Sequence, residues 1–183
     1  MAHRLTEWDQ LSRVVLAFVV LSLCASGSYL LNDLMDLSAD RAHPIKRNRP
    51  FAAGTLSIPL GIAMMTSLLV AGVATAWLWL PARFTLLLVV YLVTTTAYSL
   101  VIKKRIIADI ITLAGLYTLR ILGGGFAAEV MISFWLLAFS MFIFLSLAFM
   151  KRYIELTLMV REGRAQSAGR AYVTDDLRIL ETM

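Results

Sequence analysis

Five apolar runs, at about 12–31, 57–80, 84–102, 106–128 and 132–150, leave this 183-residue chain few folds to choose from. Each is close to the ~20 residues with which a helix crosses the hydrocarbon of a bilayer. Within lipid every backbone N–H and C=O must be satisfied inside a helix or a closed barrel. Barrel strands alternate in polarity, and these runs are too long and too evenly apolar for that. They are predicted to be transmembrane helices. The composition agrees, with 60% hydrophobic and 16% charged residues and a mean hydropathy of +0.78, against roughly a quarter charged in a soluble domain. The expected architecture is an all-α integral membrane domain over 1–153 and a polar cytoplasmic segment over 154–183. Cys24, the one cysteine, excludes a disulfide framework and a thiolate metal site. The first run lacks a small-residue cleavage pattern and passes straight into acidic residues, unlike a signal peptide.

The charges of the connections alternate. Arg41, Lys46, Arg47 and Arg49 fill the first, Arg83 alone marks the second, and Lys103, Lys104 and Arg105 fill the third. The fourth, GGGFAAEVMIS, has no basic residue. Lys151, Arg152, Arg161, Arg164, Arg170 and Arg178 follow the fifth run. Thirteen basic residues thus share one side, against three (Arg4, Arg13, Arg83) on the other. The positive-inside rule makes the basic side cytoplasmic, in a cell (inner or plasma) membrane, and places the N-terminus outside. A net charge of +5 therefore needs no nucleic acid to explain it.

The first basic connection follows LLNDLMDLSAD. At about 100° per residue, Asn32, Asp33, Asp36 and Asp40 fall within an arc of about 100° on one helix. Carboxylates gathered on one face repel one another unless cations share them. Oxygen ligands of this kind suit Mg²⁺, which is commonly held by one or two carboxylates plus substrate phosphates; with no cysteine or histidine among them, zinc is disfavoured. Pro44 and Pro50 bracket the basic HPIKRNRP stretch and favour a defined turn. Lys46, Arg47 and Arg49 can bond phosphate oxygens, Arg bidentately. The same bases also fit attraction to anionic lipid headgroups.

NDLMDLSAD resembles the NDxxDxxxD motif of the UbiA superfamily of intramembrane prenyltransferases, and RAHPIKRNRPFAAG continues that family's pattern. YSLVIKKRIIAD is similar to the family's tyrosine–lysine element, with Tyr98, Lys103 and Asp109. The likeness runs from about 14 to 178. It implies a helical bundle whose carboxylates Asp33, Asp36 and Asp40 bind Mg²⁺ and diphosphate at the cytoplasmic end of a central cavity, with an isoprenoid tail between helices. It also implies nine helices, of which the five runs correspond to the second to the sixth. The chain then reads as a partial one, and a missing first helix would explain the outward N-terminus.

Asp109 and Arg120 are eleven residues apart, about 20° beyond three full turns, and so share a helix face about 16 Å apart along the axis. An intramembrane Arg is expensive and faces a cavity or an acidic partner; Tyr117 lies near the same face. Gly123, Gly124 and Gly125 have neither a preceding strand nor the GK[ST] of a phosphate loop, and suit close helix approach or a helix end. MKRYIEL departs from the superfamily's usual second Asp-rich motif; Asp175 and Asp176 are the only acids of that kind downstream. A KRxxEL element is similar to the branch that moves phosphoribose onto polyprenyl phosphate, as in decaprenyl-phosphate phosphoribosyltransferase, and to proteins fused to a phosphatase-like domain. Lys151 and Arg152 then offer a second phosphate site, or a cytoplasmic anchor.

These features and the resemblance predict a Mg²⁺-dependent intramembrane prenyltransferase of the UbiA type, acting on a polyprenyl (di)phosphate and an unknown acceptor or donor. The expected site is Asp33, Asp36, Asp40, Lys103 and Asp109, with Asn32, Arg41, Lys46, Arg47, Arg49, Tyr98, Arg120, Lys151 and Arg152 binding substrate. Phosphoribosyl transfer from phosphoribosyl diphosphate to a polyprenyl phosphate is the alternative within the family. A transporter is the alternative of another class, but inverted hydropathy repeats are not evident.

Overall fold

In a computed structural model of the chain, residues 2–161 are described. Their helices are α1 (Ala2–Met35), α2 (Leu37–Ala42), α3 (Ile58–Trp79), α4 (Ala82–Leu100), α5 (Ile106–Ala128) and α6 (Phe134–Arg161). Single 3₁₀ turns lie at Lys46–Asn48 and Ile102–Lys104. All but α2 include a span long and apolar enough to cross a membrane. The three middle runs end within about two residues of these helices. The outer two helices are longer than their apolar runs: α1 begins at Ala2 instead of 12, and α6 continues to Arg161 instead of stopping at 150. Hydropathy marks where lipid ends, whereas the backbone ladder continues wherever the next residues tolerate a helix. The division expected at 153/154 falls inside α6. Asp175, Asp176, Arg164, Arg170 and Arg178 lie outside the described residues.

Helix α1 is central and packs against α3, α4 and α5, while α6 packs on α5. One buried cluster joins Val20 and Cys24 of α1 to Ala76 of α3, Phe84 and Leu88 of α4, and Leu116 and Ala127 of α5. A second, of Ile110, Ala148, Leu156 and Met159, joins α5 to α6. Helices in lipid gain little from burying apolar area against one another, so close approach matters more. Gly72 provides it: a Cβ there would lie 2.5 Å from Cys24 Sγ. Gly123 faces Phe84, Leu87 and Leu21 at van der Waals distance. Gly125 ends α5, its carbonyl accepting from Glu129 and Val130 N–H groups, with Glu129 left-handed at φ 55°. The glycine run thus serves helix approach and a helix end.

The up-and-down path puts the C-terminal ends of α1, α4 and α6 on one side. On the other side Arg13 of α1 pairs with Glu129 at the end of α5.

Candidate functional site

The chain turns sharply where the acids begin. Helix α1 ends at Met35 and α2 starts at Leu37, with Asp36 between them. Two backbone bonds carry the helical spacing across the break, Asp36 N–H to Asn32 O at 2.9 Å and Asp40 N–H to Asp36 O at 2.8 Å. Asn32, Asp36 and Asp40 therefore stay on one side and line a common cavity, while Asp33 is turned away from its wall. After α2, His43 Nδ1 accepts the N–H groups of Ile45 (3.2 Å) and Lys46 (3.3 Å). That shapes the turn presenting Lys46 and Arg49. Both line the cavity.

The cavity, about 220 Å³, lies between α1, α4 and α5, with Lys151 of α6 at its edge. Tyr98 and Ser99 of α4 and Lys103 of the following turn complete the polar end. Deeper in, Ser28 and Tyr29 of α1, Tyr91 and Thr95 of α4 and Tyr117 and Arg120 of α5 form the wall. The structure thus brings together nine of the residues singled out from the sequence: Asn32, Asp36, Asp40, Lys46, Arg49, Tyr98, Lys103, Arg120 and Lys151.

The acids are matched with bases. Arg49 Nη1 donates to Asp33 Oδ1 at 2.8 Å and to Asp40 Oδ2 at 2.9 Å. Lys103 Nζ pairs with Asp36 Oδ1. Among the described residues no group of three or more His, Cys, Asp or Glu side chains is arranged to hold a metal ion. The expected trio of Asp33, Asp36 and Asp40 is therefore spread over two cations. The donor chemistry still fits Mg²⁺: Asp36 and Asp40 are both on the cavity wall, and their ion pairs with Lys103 and Arg49 engage one oxygen of each.

Other residues are placed differently from their expectation. Arg152 is 1% and Asp109 0% exposed, and neither lines the cavity. Arg152 Nε pairs with Asp109 Oδ2, its Nη2 donates to Asp109 Oδ1 at 3.1 Å, and Nη1 reaches Glu155. Tyr98 hydroxyl donates to the same Asp109 Oδ1 at 2.7 Å. This knot ties α4, α5 and α6 together behind the cavity. Arg41 and Arg47 are exposed and are not part of the wall. Sequence reasoning passed over Ser28, Tyr29, Tyr91, Thr95 and Ser99. Their signal was present as polar residues at i, i+4 and i+8 on otherwise apolar helices: 28, 32, 36 and 91, 95, 99.

Five membrane-length helices, three of them enclosing a polar cavity where acids and bases converge at one end, define a multi-pass membrane protein with a built site. The chain belongs to the UbiA prenyltransferase family, which it matches over residues 1–171. It is 38% identical over 176 residues to the decaprenyl-phosphate phosphoribosyltransferase of Mycobacterium tuberculosis, covering 96% of this chain and 58% of that protein. The enzyme of the same name from Mycolicibacterium smegmatis is 36% identical over 176 residues, covering 96% and 55%. Nodulation protein NoeC of Azorhizobium caulinodans is 39% identical over 165 residues, covering 90% and 53%. The chain spans about half the length of these curated relatives.

Proposed function

We propose that this chain carries the diphosphate-handling site of an intramembrane transferase that moves a phosphoribosyl group from phosphoribosyl diphosphate to a polyprenyl phosphate. The observation that carries the reading is the convergence of Asp36, Asp40, Lys46, Arg49, Lys103 and Lys151 on one end of one cavity. The relatives named decaprenyl-phosphate phosphoribosyltransferase support the substrate pair.

The reaction breaks the bond between the donor's anomeric carbon and its diphosphate oxygen, and the diphosphate leaves with the electron pair. A phosphate oxygen of the lipid forms the new bond; being an anion already, it needs no base to remove a proton. Lys46, Arg49 and Lys103 face the end where the leaving group's charge develops and stabilise it electrostatically. Asp36 and Asp40 would hold Mg²⁺, which would add positive charge toward the diphosphate, while Asp33 restrains Arg49. The basic end is cytoplasmic by the charge asymmetry, where a soluble sugar donor is available.

The decisive assay compares labelled phosphoribosyl diphosphate with labelled polyprenyl diphosphate in proteoliposomes, with Mg²⁺ and with EDTA. Label from the sugar donor appearing in polyprenyl phosphate is the expected result. Transfer of a prenyl group instead would establish the second reading, which the family match favours. No Mg²⁺-dependent transfer from either donor would overturn both.

A further inference from the structure

Arg120 lies on the cavity wall deep within the span Ile107–Ala128. A guanidinium there is costly unless it meets a polar space or a partner. Its partners are aromatic. Nη2 donates to the Tyr91 hydroxyl at 2.9 Å, and Cζ lies 5.6 Å and 5.4 Å from the ring centres of Tyr91 and Tyr117. Among the described residues Arg120 forms no ion pair, whereas Arg13, Arg49, Lys103 and Arg152 each hold a carboxylate. Phenol and ring faces orient the guanidinium without neutralising it. Of its five N–H donors, one goes to Tyr91, and Tyr29 on the facing wall also hydrogen-bonds to the guanidinium.

The α4 side of the wall between Arg120 and the basic mouth is hydroxylic, while Ala25, Leu113 and Leu116 give the other sides apolar patches. Tyr91, Thr95 and Ser99 follow one another down α4 over about 12 Å at 1.5 Å per residue. Thr95 Oγ1 is buried with no hydrogen-bond partner among the described residues. An isoprenoid chain offers such a wall nothing to bond. A polar ligand with anionic groups at its ends, or two ligands meeting head to head, matches it.

We propose that Arg120, held in place by Tyr91 and Tyr117, is a second anion subsite at the deep end of the cavity, and that it takes a phosphomonoester. The planar fork of Arg suits bidentate phosphate recognition. The choice of phosphate rests on the reading of the mouth as a diphosphate site. Two sources carry this chemistry: the phosphate of a sugar phosphate reaching inward from the mouth, and the phosphate of a lipid entering from the bilayer.

The test measures binding of inorganic diphosphate, ribose 5-phosphate and geranyl phosphate to the protein in detergent micelles, in Arg120→Met, Arg120→Lys and the unmodified chain. Arg120→Met is expected to lose tenfold or more in affinity for one phosphomonoester and to keep that for inorganic diphosphate, with partial rescue in Arg120→Lys. Loss for ribose 5-phosphate assigns the subsite to the sugar substrate, and loss for geranyl phosphate to the lipid. Unchanged affinity for both, no phosphomonoester binding by the unmodified chain, or equal loss of all three ligands in both variants overturns the proposal. If the unmodified chain ignores inorganic diphosphate while phosphomonoester binding still depends on Arg120, the mouth reading fails and the deep subsite stands.

Discussion

Arg152→Ala is expected to unfold the end of the bundle more than it weakens any ligand. Arg152 and Asp109 are both fully buried where α5 meets α6, and two guanidinium nitrogens reach the carboxylate. Charge-assisted bonds of this kind are worth ~1.5–3 kcal/mol each. Truncating Arg152 removes both and leaves Asp109 buried without that partner, although Tyr98 still donates at 2.7 Å. Breaking a buried pair from one side costs about 3–5 kcal/mol, because the partner is stranded. Replacing both ends, as in Asp109→Asn with Arg152→Ala, removes the buried charge and should recover much of the loss. The pair would then couple by about 2–3 kcal/mol in a double-mutant cycle. Reversible unfolding in mixed detergent micelles measures all four corners. A variant Arg152→Ala with unaltered stability and a tenfold weaker phosphoribosyl diphosphate would refute the reasoning and return Arg152 to the substrate.

Three further outcomes are expected. Asp36→Asn should abolish transfer while leaving membrane insertion and folding intact, since it weakens both the hold on Lys103 and the proposed Mg²⁺ ligand; retained turnover, in the variant or in EDTA, would remove Asp36 from the site. Cysteines at positions 48 and 104 should react with a membrane-impermeant maleimide from the cytoplasmic side and one at 128 from the outside, against a background kept low by the buried Cys24. Labelling of 48 from outside would invert the topology. Gly61→Ala should destabilise by about 1–3 kcal/mol through overpacking, because a Cβ there would lie 2.2 Å from the buried Phe51 ring; a neutral result in the same unfolding assay would show that the ring yields easily.

The parts of the site that were legible in the sequence are those governed by a single helix. The spacing of Asn32, Asp36 and Asp40 survives a break in the helix because two backbone bonds bridge it, and all three reach the cavity. What crosses between helices was not legible. Asp109 and Arg120 do share a face to within about 20°, yet one is drawn into the α5–α6 contact and the other into the cavity. Helix α6 packs along α5 from Asp109 to Tyr117, so the neighbour decides: Asp109 meets Arg152 of α6, whereas Arg120 turns to Tyr91 of α4 beside the cavity. Nothing in α5 alone reveals that Arg152, 43 residues away, will be waiting there.

Lys151 and Arg152 show where local geometry could have been taken further. Neighbours on a helix point about 100° apart, so of two consecutive bases one can turn into the helix contact while the other stands at the cavity. The residue fit to do so is the one whose planar fork can bond a buried carboxylate at two points, which is Arg; a buried Lys would be a point charge that gives up its proton more readily. Arg152 accordingly takes Asp109, and Lys151 stays exposed at the edge of the cavity. The basic pair is thus divided: its arginine fixes α6 against α5, and that fixing sets where its lysine stands at the cavity.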